Sequence, residues 1–359
     1  MRPIRILVVD DSAVIRRLLA DVLSSEPEIE IAGTAGNGQL ALEKLSEVRP
    51  DMVTLDIEMP GMDGLATLAE IRKRDARLPV IMFSTLTERG ASATLEALAR
   101  GASDYVTKPS QAGSPDEARE RVRSELVPKI KSLCAVRTPV AAPTLRPHAA
   151  SFRVRSRIEI VAIGTSTGGP NALGEVLPGI PSTFPVPIVV VQHMPAVFTR
   201  LLAERLAKLA KLDVREGVEG KSPQPGEVWV APGDYHMTLV RKGTNIVIAL
   251  NQDPPENCCR PAVDVMFRSV AQVYGANVLG VVLTGMGSDG TAGARAIREM
   301  GGEIFAQDQT SSVVWGMPGS VVAAQQADRI CPLQSMAGEV VARVMSNRRT
   351  MSAQASPVL

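Results

Sequence analysis

The chain has 359 residues, of which 45% are hydrophobic and 3% aromatic, and its formal net charge is +1. This length accommodates two ordinary domains with aliphatic cores, and a charge so close to zero argues against nucleic acid as a partner. The sequence contains no run of about 18 apolar residues, so no membrane insertion is expected. The first residues also lack the apolar core of a signal peptide. We therefore expect a cytoplasmic protein.

Strand-like and helix-like patterns alternate five times in residues 1–134, the first predicted domain. The predicted strands are 5–9, 29–35, 51–55, 79–83 and 103–107. The predicted helices are 13–24, 37–47, 64–74, 88–100 and 115–134. Five such repeats indicate an α/β domain with a five-stranded, doubly wound parallel sheet of the flavodoxin-like kind. In sheets of this kind the functional site lies at the carboxyl ends of the strands.

Polar side chains stand at the ends of several of these predicted strands. Asp10 and Asp11 follow the first strand, and Asp56 follows the third. One strand-end aspartate can simply cap a helix, but three converging carboxylates repel one another unless a cation lies between them. Hard oxygen ligands in small number favour Mg²⁺. Ser84 and Lys108, at the fourth and fifth strand ends, are suited to hold the oxygens of a phosphoryl group on Asp56.

Together with Tyr105 and Pro109, these residues resemble the receiver domain of bacterial response regulators, over residues 4–125. The resemblance implies that a chemotaxis histidine kinase phosphorylates Asp56. It also implies that Mg²⁺ is held by Asp10, Asp11 and Asp56, and that a phosphoryl switch comprises Ser84, Tyr105 and Lys108. Phosphorylation adds about −1.5 to −2 charges, enough to reorder the surrounding loops.

The periodicity stops at residues 135–157, which are rich in proline and alanine and contain arginines but no acid. This composition predicts an extended linker. A second alternation over residues 158–346 predicts an α/β domain with a mainly parallel sheet and one β-hairpin. Its predicted strands are 158–163, 186–192, 213–218, 227–231, 237–241, 245–249, 277–283 and 303–307. Its predicted helices are 170–177, 197–210, 262–274, 290–299, 319–326 and 332–346. A disordered tail is predicted for residues 347–359.

A candidate nucleophile lies where the first strand of this domain meets a helix. Residues 164–168 read Gly-Thr-Ser-Thr-Gly, a turn that holds the hydroxyl of Ser166 at the sheet edge. Such a hydroxyl needs a base, and the chain has three histidines. His148 lies in the predicted linker. His193 follows the strand 186–192, beside the serine turn in a parallel sheet, and is favoured over its rival, His236.

The third group of a hydrolytic triad is an acid that orients the imidazole. Asp289 lies in a glycine-rich turn after the predicted strand 277–283, at the same sheet edge. It could instead serve as a helix cap, and Asp264 and Asp308 are weaker alternatives. The chain order serine, histidine, aspartate differs from that of α/β-hydrolases, so their fold is not predicted.

The segments 164–170, 192–195 and 284–290 resemble the catalytic domain of chemotaxis protein-glutamate methylesterases, over residues 158–346. The resemblance implies a triad of Ser166, His193 and Asp289. Backbone N–H groups near Thr167 and Met286 are candidate oxyanion donors for such a triad. It implies phosphorylation-regulated demethylation of glutamyl methyl esters, and deamidation of glutamines, on chemoreceptors. No cofactor is expected for the esterase reaction.

One position departs from the family pattern: Cys259 precedes Arg260-Pro261, where the family often has histidine. This change leaves the triad intact and affects only the contribution of that loop to substrate contacts. An alternative function is a response regulator whose second domain binds a partner without catalysis. A DNA-binding regulator is a weaker alternative, because the charge is near zero and no basic recognition helix is predicted.

Overall fold

The computed structural model describes residues 2–109, 114–135 and 156–354 of the chain. His148, residues 136–155 of the predicted linker and the last five residues of the predicted tail lie outside these ranges. The chain forms two compact units, Met1–Pro139 and Val140–Leu359. In the described ranges, no helix combines the length and the apolar character needed to cross a membrane. The domain limits at 134, 158 and 346 stay predictions.

The described residues of the N-terminal unit form five strands and five helices. The strands are β1 (Ile4–Val9), β2 (Ile29–Ala35), β3 (Met52–Asp56), β4 (Val80–Ser84) and β5 (Asp104–Thr107). The helices are α1 (Ala13–Ser24), α2 (Gly38–Val48), α3 (Gly64–Arg74), α4 (Glu88–Ala99) and α5 (Pro115–Ala135). The strands pair in parallel in the order β2-β1-β3-β4-β5. The predicted doubly wound, flavodoxin-like sheet is thereby confirmed.

Local sequence explains where these elements begin. Ser12, Asn37, Asp63 and Thr87 each accept a hydrogen bond from a backbone N–H in the first turn of the following helix, as N-cap residues do. Every residue of β3 and β4 is buried, because helices cover both faces of a parallel sheet. The strand ends are therefore fixed by buried backbone and side chains.

The C-terminal unit contains a larger parallel sheet. Its strands are β6 (Ile160–Thr165), β7 (Ile188–Gln192), β8 (Asp213–Glu216), β9 (Glu227–Val230), β10 (His236–Lys242), β11 (Asn245–Asn251), β12 (Val278–Val282), β13 (Glu303–Gln307) and β14 (Arg329–Cys331). Its α-helices are α6 (Gly169–Val176), α7 (Ala196–Leu209), α8 (Val263–Tyr274), α9 (Thr291–Glu299), α10 (Met317–Ala323) and α11 (Leu333–Gln354). The sheet order is β14-β13-β12-β6-β7-β9-β8, and β10 and β11 form a separate antiparallel hairpin. The predicted architecture, a mainly parallel sheet with one hairpin, is confirmed.

Two features of this unit differ from the sequence-based prediction. β14 was not predicted; its three residues pair in parallel with the end of β13. The last helix was predicted to end at residue 346, and it continues to Gln354, into the segment predicted as a tail. The sequence between 347 and 354 contains no glycine or proline that would stop a helix.

Candidate functional site

Three loops meet at the carboxyl edge of three neighbouring strands in the C-terminal unit. β6 lies between β12 and β7, and Ser166 follows β6, His193 follows β7, and Asp289 lies in the loop after β12. The backbone N–H of Ser166 donates to the carbonyl of Thr284 at 3.0 Å, and that of His193 donates to the carbonyl of Thr165 at 3.3 Å. The sheet topology thus brings the three predicted residues to one edge.

The turn that contains Ser166 includes one residue in the left-handed backbone conformation. Gly168 has a φ of +79° and immediately precedes α6, and glycine takes this left-handed conformation without steric cost. Gln192, which is 2% exposed, donates its side-chain amide to the carbonyl of Ser166 at 2.9 Å. The turn is therefore fixed to the end of β7, next to His193.

The loop after β12 passes directly against the serine. A Cβ atom at Gly285 would lie 2.9 Å from the Cβ of Ser166 and 2.4 Å from the sulfur of Met317, so a side chain at this position would push the loop away. Met286 is the next residue. The carbonyl of Thr167, on the other side, accepts a hydrogen bond from the Thr284 hydroxyl at 3.0 Å. The assignment of Thr167 and Met286 as oxyanion donors stays a prediction.

Asp289 is buried and surrounded by hydrogen-bond donors. Its Oδ2 lies 2.8 Å from Nε2 of His193 and accepts from the backbone N–H of Val263 at 2.6 Å. Its Oδ1 accepts from the N–H groups of Asp264 and Gly290, each at 2.9 Å. Burial raises the pKa of Asp289, but the bond with His193 and the backbone donors outweigh burial and lower it below its usual value. The acid is held ionised and aimed at the imidazole.

The two ring nitrogens of His193 have different partners. Nε2 faces Asp289, and Nδ1 lies 3.4 Å from the sulfur of Cys259. Burial alone would lower the pKa of His193, yet the bonds to Asp289 and Cys259 overcome it and raise the pKa to about 10. These contacts therefore stabilise the imidazolium form of the ring, and Nδ1 is the ring nitrogen that does not contact Asp289.

The other sequence candidates have structural partners. His236 is 1% exposed, and its Nε2 contacts the carbonyl of Pro254 while its Nδ1 accepts from the N–H of Ala262, both at 3.2 Å. Asp308 accepts from the N–H of Ser311 at 3.0 Å, within its own loop. Asp264 accepts from Gly293 at 2.6 Å and lies beside Asp289 rather than against His193.

Sequence analysis did not assign Asn257, which lies at this site. Its side-chain nitrogen lies 2.9 Å from a carboxylate oxygen of Asp289 and 2.9 Å from one of Asp264. An asparagine in a turn carries no periodic signal. The only available indication was that Asn257 belongs to the same short segment as Cys259 and the Arg260-Pro261 pair.

A second cluster occupies the carboxyl edge of the N-terminal sheet. Carboxylate oxygens of Asp10, Asp11 and Asp56 lie within 4.8 Å of one another, and the ammonium of Lys108 lies 2.9 Å from Asp10 and 2.8 Å from Asp56. Burial raises the pKa of Asp56 to about 6; Lys108 opposes this rise and the Asp10 carboxylate adds to it. One lysine cannot neutralise three carboxylates, so the donor set fits a divalent cation.

The remaining two predicted switch residues face helices. The Ser84 hydroxyl donates to the carbonyl of Gly90 at 3.1 Å and accepts from the hydroxyl of Thr94 at 2.7 Å, both on α4. The Tyr105 ring is buried, and the ammonium of Lys129 on α5 lies 5.1 Å from its centroid. The structure therefore joins Lys108 to the acidic cluster and directs Ser84 and Tyr105 toward neighbouring elements.

Comparison with known proteins gives a family match for each of the two units. A family model described as CheB methylesterase matches residues 161–340, and one described as response regulator receiver domain matches residues 6–122. A protein-glutamate methylesterase/protein-glutamine glutaminase of Trichodesmium erythraeum is 51% identical over 351 residues, which cover 96% of this chain and 100% of that protein. The chain belongs to the CheB methylesterase family.

Further relatives in the CheB methylesterase family extend over the same length. A protein of the same description from Nocardioides sp. is 50% identical over 360 residues, covering 98% of each chain. The crystal structure of the CheB methylesterase catalytic domain of Thermotoga maritima is similar at 41% identity and a TM-score of 0.51, covering 52% of this chain and 98% of that one. The family resemblances seen in the sequence are thus confirmed.

Proposed function

We propose that this chain is a phosphorylation-regulated serine hydrolase that demethylates glutamyl methyl esters, and deamidates glutamines, on bacterial chemoreceptors. The observation that carries the proposal is the 2.8 Å contact between His193 Nε2 and Asp289 Oδ2, on loops that flank the Ser166 turn. The non-catalytic alternative is not favoured, because relatives 50–51% identical over nearly the whole chain have an enzyme name.

In the proposed reaction, Ser166 is the nucleophile and His193 is the base. Because Nε2 donates to Asp289, Nδ1 takes the hydroxyl proton as the oxygen attacks the ester carbonyl. The imidazolium then protonates the leaving methoxide, and methanol departs. Water hydrolyses the acyl-enzyme by the same proton transfers, which restores the serine and leaves a glutamate carboxylate. A glutamine side chain follows the same route and releases ammonia.

The oxyanion of each tetrahedral intermediate needs hydrogen-bond donors. We assign this role to the backbone N–H groups of Thr167, the residue after Ser166, and of Met286, the residue after Gly285. One such donor is worth about 10²–10³ in rate. Gly285 supports the assignment, because its lack of a side chain lets the residue after it approach the serine.

The function is tested with a receptor-derived helical peptide that contains one glutamyl methyl ester. We expect the full-length chain to release methanol, and to release ammonia from the matched glutamine peptide, without added metal in the hydrolytic step. A peptide with the methyl ester on an aspartyl residue serves as the substrate control, because its shorter side chain brings the carbonyl less far into the site. Methanol release no faster than in buffer alone would contradict the proposal.

Regulation is assigned to the acidic cluster of the N-terminal unit. A histidine kinase would donate a phosphoryl group to Asp56, with Mg²⁺ held by Asp10, Asp11 and Asp56 and with Lys108 contacting the phosphoryl oxygens. When bound, Mg²⁺ neutralises the carboxylates and orients the phosphoryl group for transfer. Ser84 and Tyr105 would respond as the switch pair. The proposal is supported by the 4.8 Å cluster and by the receiver match.

Phosphorylation is expected to raise esterase activity about tenfold, a change that corresponds to about 1.4 kcal/mol between restrained and active populations. The measurement is methanol release by the full chain with Mg²⁺ and a small acyl phosphate. Asp56→Asn should abolish the increase and keep the basal rate.

Deletion of residues 1–140 should raise the basal rate. An unchanged or lower basal rate after this deletion would refute inhibition by the N-terminal unit.

A further inference from the structure

A tight turn lies against both members of the His193–Asp289 pair. Glu256 and Cys259 exchange backbone hydrogen bonds at 3.1 and 2.9 Å, and the two residues between them, Asn257 and Cys258, have φ angles of +52° and +60°. Asparagine tolerates this left-handed conformation better than most residues. Arg268 on α8 pairs with both carboxylate oxygens of Glu256, at 2.7 and 2.5 Å. The turn is therefore anchored to a core helix.

The side chain of Asn257 lies between two buried acids. Its Nδ2 donates to Oδ1 of Asp289 and to Oδ2 of Asp264, each at 2.9 Å. Asp264 and Asp289 are 3% and 2% exposed. Burial, together with the charge of Asp289, raises the pKa of Asp264. One amide group thus serves both carboxylates and reduces the repulsion between them.

The hydrogen bonds to Asp289 indicate that the Asn257 amide acts on the orientation of this carboxylate. Three backbone N–H groups, from Val263, Asp264 and Gly290, are fixed by the starts of α8 and α9. Asn257 adds a side-chain donor on Oδ1, the oxygen that does not face His193. A donor on Oδ1 restrains rotation of the carboxylate and leaves Oδ2 on the imidazole. The same turn also supplies Cys259, whose sulfur lies 3.4 Å from Nδ1 of His193.

We propose that Asn257 is a positioning residue for hydrolysis: its amide fixes the Asp289 carboxylate so that Oδ2 stays on Nε2 of His193. The inference rests on the proposed function and deepens it. Asn257 acts through Asp289 and takes no part in bond making. Its removal should therefore lower kcat and leave KM nearly unchanged, because substrate contacts are not altered.

The turn provides a matched control for the experiment. Glycine fits both left-handed positions, so Asn257→Gly removes the amide without backbone strain. Cys258→Gly makes the same backbone change at the next residue, which is exposed as Asn257 is. We expect Asn257→Gly to lower kcat for methyl-ester hydrolysis about 10- to 100-fold, the range for losing a hydrogen bond to a charged group, with KM within about twofold. Cys258→Gly should keep the wild-type kcat.

A second variant separates positioning from a general structural role. Asn257→Asp keeps the shape of the side chain and adds a carboxylate to a site that already contains Asp264, Asp289 and the Glu256–Arg268 pair. A nearby negative charge favours the imidazolium form and raises the pKa of His193. Because the neutral ring is the base, the acid limb of kcat/KM should move to higher pH.

The experiment tests the hydrolytic reaction and the role of Asn257 separately. Methanol release by the wild type that is lost in Ser166→Ala establishes the reaction itself. Against that reference, a wild-type kcat in Asn257→Gly would overturn the inference, and so would an equal loss in Cys258→Gly. If the acid limb of kcat/KM does not shift in Asn257→Asp, the inference is also overturned. The pH of this limb does not depend on how much of the variant folds.

Discussion

Replacing Ser166 by alanine is expected to lower kcat for methyl-ester hydrolysis by about 10⁴- to 10⁶-fold. The alanine has no hydroxyl to form the acyl-enzyme, so only the oxyanion donors and substrate binding would still assist attack by water. The fold should be kept, because the contacts that fix the turn use the backbone of this residue: its N–H donates to Thr284 and its carbonyl accepts from Gln192. Methanol release from the methylated receptor peptide measures the effect.

Ser182→Ala is the matched control for this experiment. It makes the same chemical change at an exposed residue of the C-terminal unit, away from the loops that follow β6, β7 and β12. The control should keep the wild-type kcat and the same thermal midpoint. Methanol release by Ser166→Ala at more than a few per cent of the wild-type rate would remove the nucleophile assignment.

Replacing Asp289 by asparagine is expected to lower kcat by about 10⁴-fold. The carboxylate accepts from His193 and from the N–H groups of Val263, Asp264 and Gly290. An asparagine must turn its NH₂ group toward at least one of these donors. If that group faces His193, the ring is forced into the tautomer that carries its hydrogen on Nδ1, where it cannot accept the serine proton.

The same substitution has a signature in the pH profile. The hydrogen bond with Asp289 helps to raise the pKa of His193 to about 10, so the pKa should fall when the carboxylate is removed. Activity is lost as pH falls through the pKa of the base, and the acid limb of kcat/KM should therefore move to lower pH. Asp308→Asn is the control, because Asp308 binds its own loop through Ser311. A larger loss of kcat in Asp308→Asn than in Asp289→Asn would assign the role of the triad acid to Asp308 instead.

Much of the fold and of the candidate sites could be predicted from the sequence, because the candidate residues lie at the ends of strands. The hydrophobic runs that become β6, β7 and β12 mark buried parallel strands, and Ser166, His193 and Asp289 each lie in the loop that follows one of them. Parallel strands place such loops at one edge. The same rule brought Asp10, Asp11 and Asp56 together in the N-terminal unit. Local pattern and topology therefore suffice for these groups.

Other features depend on contacts that no local pattern encodes. β14 is only three residues long and forms by pairing with the end of β13, so its sequence contains too little alternation to indicate a strand. Asn257 gains its position from a turn whose ends bond to each other and whose start is held by Arg268. The partner of each ring nitrogen of His193 likewise depends on how distant loops pack. These properties arise only in the folded chain.

The central place of β6 in its sheet has a consequence for biosynthesis. Ser166 and His193 follow β6 and β7, which are synthesised early, whereas Asp289 follows β12, which is synthesised later and lies on the opposite side of β6 from β7. A nascent chain or proteolytic fragment that stops before Val278 contains the proposed nucleophile and base but not the carboxylate proposed to orient the imidazole. We therefore expect such incomplete products to lack esterase activity, and we expect the onset of esterase activity during refolding to coincide with the docking of β12.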